Sequence, residues 1–293
     1  MGAGKLGLMG KVVVQQPVSV LMPAGFGLVV AMVLLISADS TSFGDANVAN
    51  LLGYLCVWVP MLVAIGVAGA GVARGGWGSA LDGPGPAVRS DAAAAGAVSN
   101  PTGGFDSAPA RAGGGDAGNG IRSRKSLLRL SIRPIDLIWG LGVGLMARTV
   151  ASLMEILGFG SIGTAGATFG ETVYNGWWLF GALLAPLLLA PFVEELFFRG
   201  LVLRGVYARV TALGAVRWAA PIAVGVSGLT FALMHLVTID PGNTATVVVV
   251  GVSTLIFGLA AAALALATGR IGGAIVAHVT FNGLVIVPAL LGI

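Results

Sequence analysis

Seven apolar runs constrain this chain more than any other feature. Each approaches the roughly 20 residues that a helix needs to cross a hydrocarbon core of about 30 Å. They cover roughly residues 16–37, 49–73, 135–158, 177–203, 219–239, 244–268 and 271–291. Hydrophobic residues make up 56% of the chain and charged ones 10%, which excludes a soluble domain. The 47 glycines agree with this, since small residues let membrane helices approach closely. The reading is an all-α, polytopic membrane bundle of about seven to eight transmembrane helices.

A net charge of +4 could point to nucleic acid, but the basic residues border apolar runs, where they set orientation. Nucleic acid is therefore not an expected partner. Lys5, Lys11, the cluster Arg122, Arg124, Lys125, Arg129 and Arg133, the segment from Arg204 to Arg217, and Arg270 fall on alternate sides of successive runs. The loops near Asp39, Glu171 and Asp240 hold no Lys or Arg. The positive-inside rule then predicts a cytoplasmic N-terminus in a cell-membrane protein. Seven crossings leave the C-terminus outside, and a re-entrant or eighth segment in 158–170 would reverse that.

Residues 1–74 read as a two-helix membrane segment. The apolar run within 1–37 is too long for a cleaved leader, and Met1-Gly2-Ala3-Gly4-Lys5-Leu6 lacks the Ser or Thr of a myristoylation signal. Residues 75–133, rich in Gly, Ala and Pro, bury too little apolar surface to offset their ordering entropy. They are expected to form a disordered cytoplasmic linker whose basic end rests on anionic lipid. Residues 134–293 form the remaining unit, and the chemistry gathers there.

Cys56, the single cysteine, lies in an apolar run, so disulfide frameworks and cysteine-held metal clusters are excluded. The two histidines, His235 and His278, must carry any imidazole chemistry. Ionisable groups in hydrocarbon persist mainly where they pair or perform a function. The fourth run nevertheless reads Ala190-Pro191-Phe192-Val193-Glu194-Glu195-Leu196-Phe197-Phe198-Arg199-Gly200. Glu195 and Arg199 are i, i+4 neighbours, while Glu194 is rotated by about 100° from Glu195. Glu195 is thus the paired, structural anion, and Glu194 is free to face a cavity as a general base. The alternative makes all three an ion cluster snorkelling to the interface. The fifth run places Phe231 and His235 one turn apart, and the seventh does the same with His278 and Asn282. Hydrogen bonds between helices are the plainer reading of each histidine alone.

Taken together, Glu194-Glu195-Leu196-Phe197-Phe198-Arg199, Phe231 to His235, and His278 to Asn282 resemble three motifs of the type II CAAX prenyl endopeptidases and their bacterial relatives, the CPBP (Abi-like) intramembrane proteases. The family patterns are E-E-x-x-x-R, F-x-x-x-H and H-x-x-x-N, in that order. The resemblance covers roughly residues 134–293 and implies a membrane-embedded endopeptidase acting on a membrane-associated peptide or protein. It implies that Glu194, helped by His235, activates water while His278 and Asn282 donate to the oxyanion. Glu195 and Arg199 would fix the fourth helix, with Phe231 beside them. Relatives are commonly named metalloproteases, and Glu194, His235 and His278 are the candidate ligands for a zinc ion. The chain has no H-E-x-x-H to place base and ligands on one helix, and metal-independent chemistry is slightly favoured.

One expectation runs against convergence: on these span limits Glu194 lies toward the cytoplasmic end of its helix and His235 toward the outer end of the next. Pro186 and Pro191 are candidates for a bend or shift that closes the gap. Three rival readings stand beside the protease. Gly225-Val226-Ser227-Gly228 with Ala277-His278 looks like a rhomboid serine and histidine pair, although Phe281 occupies a position where that pattern has glycine. Buried Glu, His and Asn could line a proton-coupled transport path. A non-enzymatic scaffold or bacteriocin-immunity protein is the third.

Overall fold

The computed structural model describes residues 18–38, 46–71, 130–162 and 176–291. The proposed linker, the N-terminal lysines and most of the glycine-rich stretch after residue 158 lie outside the described residues. Among the described residues every regular element is helical, and seven helices are long and apolar enough to cross a membrane. The chain is an integral membrane protein. In chain order the helices are α1 (Val18–Ser37), α2 (Ala46–Gly71), α3 (Pro134–Phe159), α4 (Gly176–Ala212), α5 (Val216–Leu236), α6 (Thr244–Thr268) and α7 (Gly272–Leu291).

Helix α4 departs most from the sequence expectation. It continues past residue 203 to Ala212 before turning at Gly214, whose φ of 80° suits glycine. The α4–α5 hairpin is therefore longer than the apolar run alone implied. Glu194 lies 18 residues before Ala212, and His235 lies 19 residues after Val216. Antiparallel helices with equal arms bring those two positions level. Hydropathy could not show this, because Leu203–Ala212 carries Arg204 and Arg209 and reads as a loop-side edge.

Helix α4 is also the hub of the bundle. It packs against α1, α2, α5 and α7, while α6 packs against α3, α5 and α7. Val20, Ala24, Met61 and Ala64 from the first two helices join the same buried core as Phe197, Phe231, Phe257 and Ala277. At the basic end, Arg204 donates to the Gly269 carbonyl at 3.2 Å, and Arg270 pairs with buried Asp136 at 2.5 Å. Those bonds tie α4, the α6–α7 turn and the start of α3 together. The hydrogen bonds from Arg270 to Asp136 hold the guanidinium above its ordinary pKa.

Helix α3 reaches α7 through Gly140 and Gly144, spaced i, i+4. A Cβ on Gly144 would lie 2.6 Å from the Ala277 carbonyl oxygen and 2.7 Å from Thr280 Cβ, next to His278. Gly144→Ala is expected to push α3 off α7 and destabilise the bundle by about 1–3 kcal/mol, because backbone atoms cannot give way as a flexible side chain can. Reversible unfolding in mixed micelles would measure this. An unchanged midpoint would show that the interface tolerates a methyl group.

Candidate active site

The Glu-Glu-Arg segment sits where α4 passes from helical turns at Ala190–Glu195 into π-helical turns at Leu196–Val202. Wider turns of this kind often mark functional positions in helices. Glu195 and Arg199 are completely buried and bonded, Arg199 Nη1 donating to Glu195 Oε1 at 2.8 Å. The expected i, i+4 pairing is present. Arg199 Nη2 also donates to the Gly258 carbonyl at 3.2 Å. Gly228 and Gly258 permit this, since their backbones cross too closely for a side chain at either position.

The Arg199 guanidinium carbon lies 4.5 Å from the centre of the Phe231 ring, with Phe257 and Phe198 at 5.7 and 5.9 Å. An aromatic box around a buried cation adds attraction from the ring faces. Phe231 also contacts both imidazoles, with ring centres 4.4 Å from His235 and 5.5 Å from His278.

Glu195 has a second partner that helical spacing could not reveal. His278 Nδ1 donates to the same Oε1 at 2.9 Å, from 83 residues along the chain. His235 Nδ1 donates to the Phe231 carbonyl at 2.9 Å. With both Nδ1 atoms engaged, each ring presents Nε2, and both Nε2 atoms lie 3.9 Å from Glu194 Oε2. That oxygen is buried and has no hydrogen-bond partner. Glu194, Glu195, His235 and His278 therefore converge, although the naive span limits kept Glu194 and His235 apart. His235 is the most open of the four, its side chain 32% exposed against 3% for His278.

Asn282 stands one turn after His278, and its Nδ2 donates to the Pro186 carbonyl of α4 at 2.8 Å. The prolines do not break α4. Residues Phe180–Leu189 form π-helical turns, with the Ala190 N–H bonded to the Ala185 carbonyl five residues back. In that register the donor for the Pro186 carbonyl is position 191, a proline without an N–H, and Asn282 supplies the missing hydrogen.

A tetrahedral zinc site with bonds of about 2.0–2.2 Å holds its donor atoms about 3.3 Å apart. Anchored Nδ1 atoms would suit metal-bound histidines, but here each Nε2 is 3.9 Å from Glu194 Oε2. Among the described residues no three His, Cys, Asp or Glu side chains are grouped closely enough to hold an ion. As placed, the donors do not close on a metal. The serine-protease alternative is also poorly served: Ser227 donates to the Phe198 carbonyl at 3.0 Å, and His278 Nδ1 is committed to Glu195. Arg148 and Glu155 pair with each other at 2.5 Å on α3.

Residues 176–284, from the start of α4 into α7, match the family model described as type II CAAX prenyl endopeptidase Rce1-like. All three motifs lie inside that stretch, which is similar to the Rce1-like CAAX endopeptidases. No curated protein and no solved structure matches the chain.

Proposed function

We propose that the protein is a membrane-embedded endopeptidase that hydrolyses a peptide bond in a membrane-associated peptide or protein with a water molecule activated by Glu194. The observation that carries this reading is the unpartnered Glu194 Oε2 facing two imidazole Nε2 atoms at 3.9 Å each. A water about 2.8 Å from Glu194 Oε2 and from either Nε2 would subtend about 90° between them, within reach of hydrogen bonds. Glu194 takes a proton from this water as its oxygen adds to the peptide carbonyl. The carbonyl electrons move onto oxygen, and their return breaks the C–N bond as Glu194 passes the proton to the leaving amine. The oxyanion is stabilised by His278, whose ring is held by Glu195, and by the second amide hydrogen of Asn282. His235 holds the water from the open side.

We place the chain in the cell membrane with its N-terminus in the cytoplasm, divided into the two-helix segment 1–74, the linker 75–133 and the protease core 134–293. The support is the basic end where Arg204 and Arg270 gather.

The test is cleavage of an S-farnesylated peptide with a cysteine-aliphatic-aliphatic-X tail by the purified protein in lipid vesicles, read by mass spectrometry. Comparing membrane peptides from cells carrying the intact protein or Glu194→Gln would find a client without a prenyl group. Treatment with a strong zinc chelator is expected to leave the rate within about twofold, because no step uses a metal. Activity lost on chelation and restored by zinc would overturn that part of the mechanism.

A further inference from the structure

The first two helices lie outside the family-matched segment, yet one of their side chains repairs the catalytic helix. In the π-helical turns of α4 each carbonyl looks for an N–H five residues ahead, as Ala185 finds Ala190. For Gly181 that position is Pro186, and for Pro186 it is Pro191. Neither proline has an N–H to give. Inside a membrane an unpaired carbonyl is costly, and such groups are expected to be satisfied by neighbouring helices.

Both oxygens are satisfied from other helices. Asn282 of α7 donates to Pro186, and the Tyr54 hydroxyl of α2 donates to the Gly181 carbonyl at 3.0 Å. The Tyr54 ring is itself held by stacking on Trp58, with centres 4.9 Å apart and planes 23° off parallel. The two prolines and their two donors thus bracket the turns that lead into Glu194, one donor coming from the matched segment and the other from outside it.

We infer that Tyr54 is a positioning residue for the hydrolysis: by capping the carbonyl that Pro186 leaves without a donor, it fixes the π-helical turns from which Glu194 is aimed at the two imidazoles. The inference rests on the reading of Glu194 as the base. It makes the α1–α2 hairpin a working part of the enzyme, acting through the backbone of α4.

The test is a double-mutant cycle on the full chain in vesicles with the farnesylated peptide, run beside Glu194→Gln. Tyr54→Phe removes only the hydroxyl and is expected to lower kcat about tenfold with KM within about twofold, since a small misplacement of a base costs rate more than binding. Pro186→Ala returns an N–H to position 186. In that background Tyr54→Phe should change kcat by less than about twofold, because the Gly181 carbonyl then has a backbone donor. An equal loss in both backgrounds, a loss confined to KM, or no loss at all would overturn the inference. Should Pro186→Ala not fold, amide exchange at Leu187–Leu189 decides: Tyr54→Phe is expected to speed it about fivefold or more, and unchanged exchange overturns the inference. Hydrolysis that survives Glu194→Gln brings down the catalytic reading itself, whereas a dead Glu194→Gln beside a neutral Tyr54→Phe removes only the role of Tyr54.

Discussion

Glu194→Gln is expected to lower kcat by about 10⁴-fold, the upper end of what a positioned general base supplies, while the bundle stays folded. The substitution keeps the shape of the side chain and removes its capacity to accept a proton from water. Glu194 Oε2 has no hydrogen-bond partner, so the fold loses no bond through that atom. Replacing a buried, unbonded carboxylate oxygen with a neutral amide should leave stability level or raise it. Single-turnover cleavage of the farnesylated peptide would measure the rate, and unfolding in mixed micelles would show that the loss is chemical. The same variant separates the rival classes. A scaffold is indifferent to it, a proton-coupled transporter loses flux without any cleaved product, and only a protease loses a product that the intact protein makes. Hydrolysis at the native rate by Glu194→Gln would remove the carboxylate from the mechanism.

The sequence made the membrane helices and one local pair legible because both depend on near neighbours. Apolar runs placed the ends of α3, α6 and α7 within a residue or so of where they fall. The i, i+4 rule anticipated the bond between Glu195 and Arg199. Tertiary sharing was beyond its reach. Glu195 serves both Arg199 and His278, and nothing in the spacing of either motif says that a carboxylate on α4 orients a ring on α7. The level of Glu194 against His235 was obscured by the charged last turns of α4, which end the hydropathy signal before the helix ends. Pro186 and Pro191 read from sequence as a bend or shift, and they carry a second signal. Two prolines inside one membrane helix imply two carbonyls in need of outside donors, and Tyr54 and Asn282 are the side chains that meet them. Helical spacing sets Asn282 beside His278 without showing its bond to α4, and no motif marks Tyr54.

The buried pair offers the second large effect, because stability and activity should separate there. Arg199→Ala strips Glu195 of one donor, empties the box formed by Phe198, Phe231 and Phe257, and leaves a carboxylate in a dry interior. Breaking a buried ion pair from one side typically destabilises by about 3–5 kcal/mol, and a loss of that size is expected here. Replacing both partners with apolar residues of similar volume, Glu195→Leu with Arg199→Met, should recover most of that stability, since neither desolvated charge remains. Activity should not return with it. In the double variant His278 Nδ1 has lost its acceptor, so the ring is free to turn its Nε2 away from Glu194. A fall in kcat of about 10²-fold or more is the expected cost of that misorientation. Denaturant titration and single-turnover cleavage on the same three proteins would measure both quantities. If the apolar double variant were both stable and fully active, Glu195 would be a packing partner for Arg199 and nothing more. If the double variant is stable and slow, the Glu195 carboxylate of the intact protein is what turns the imidazole toward the reacting water.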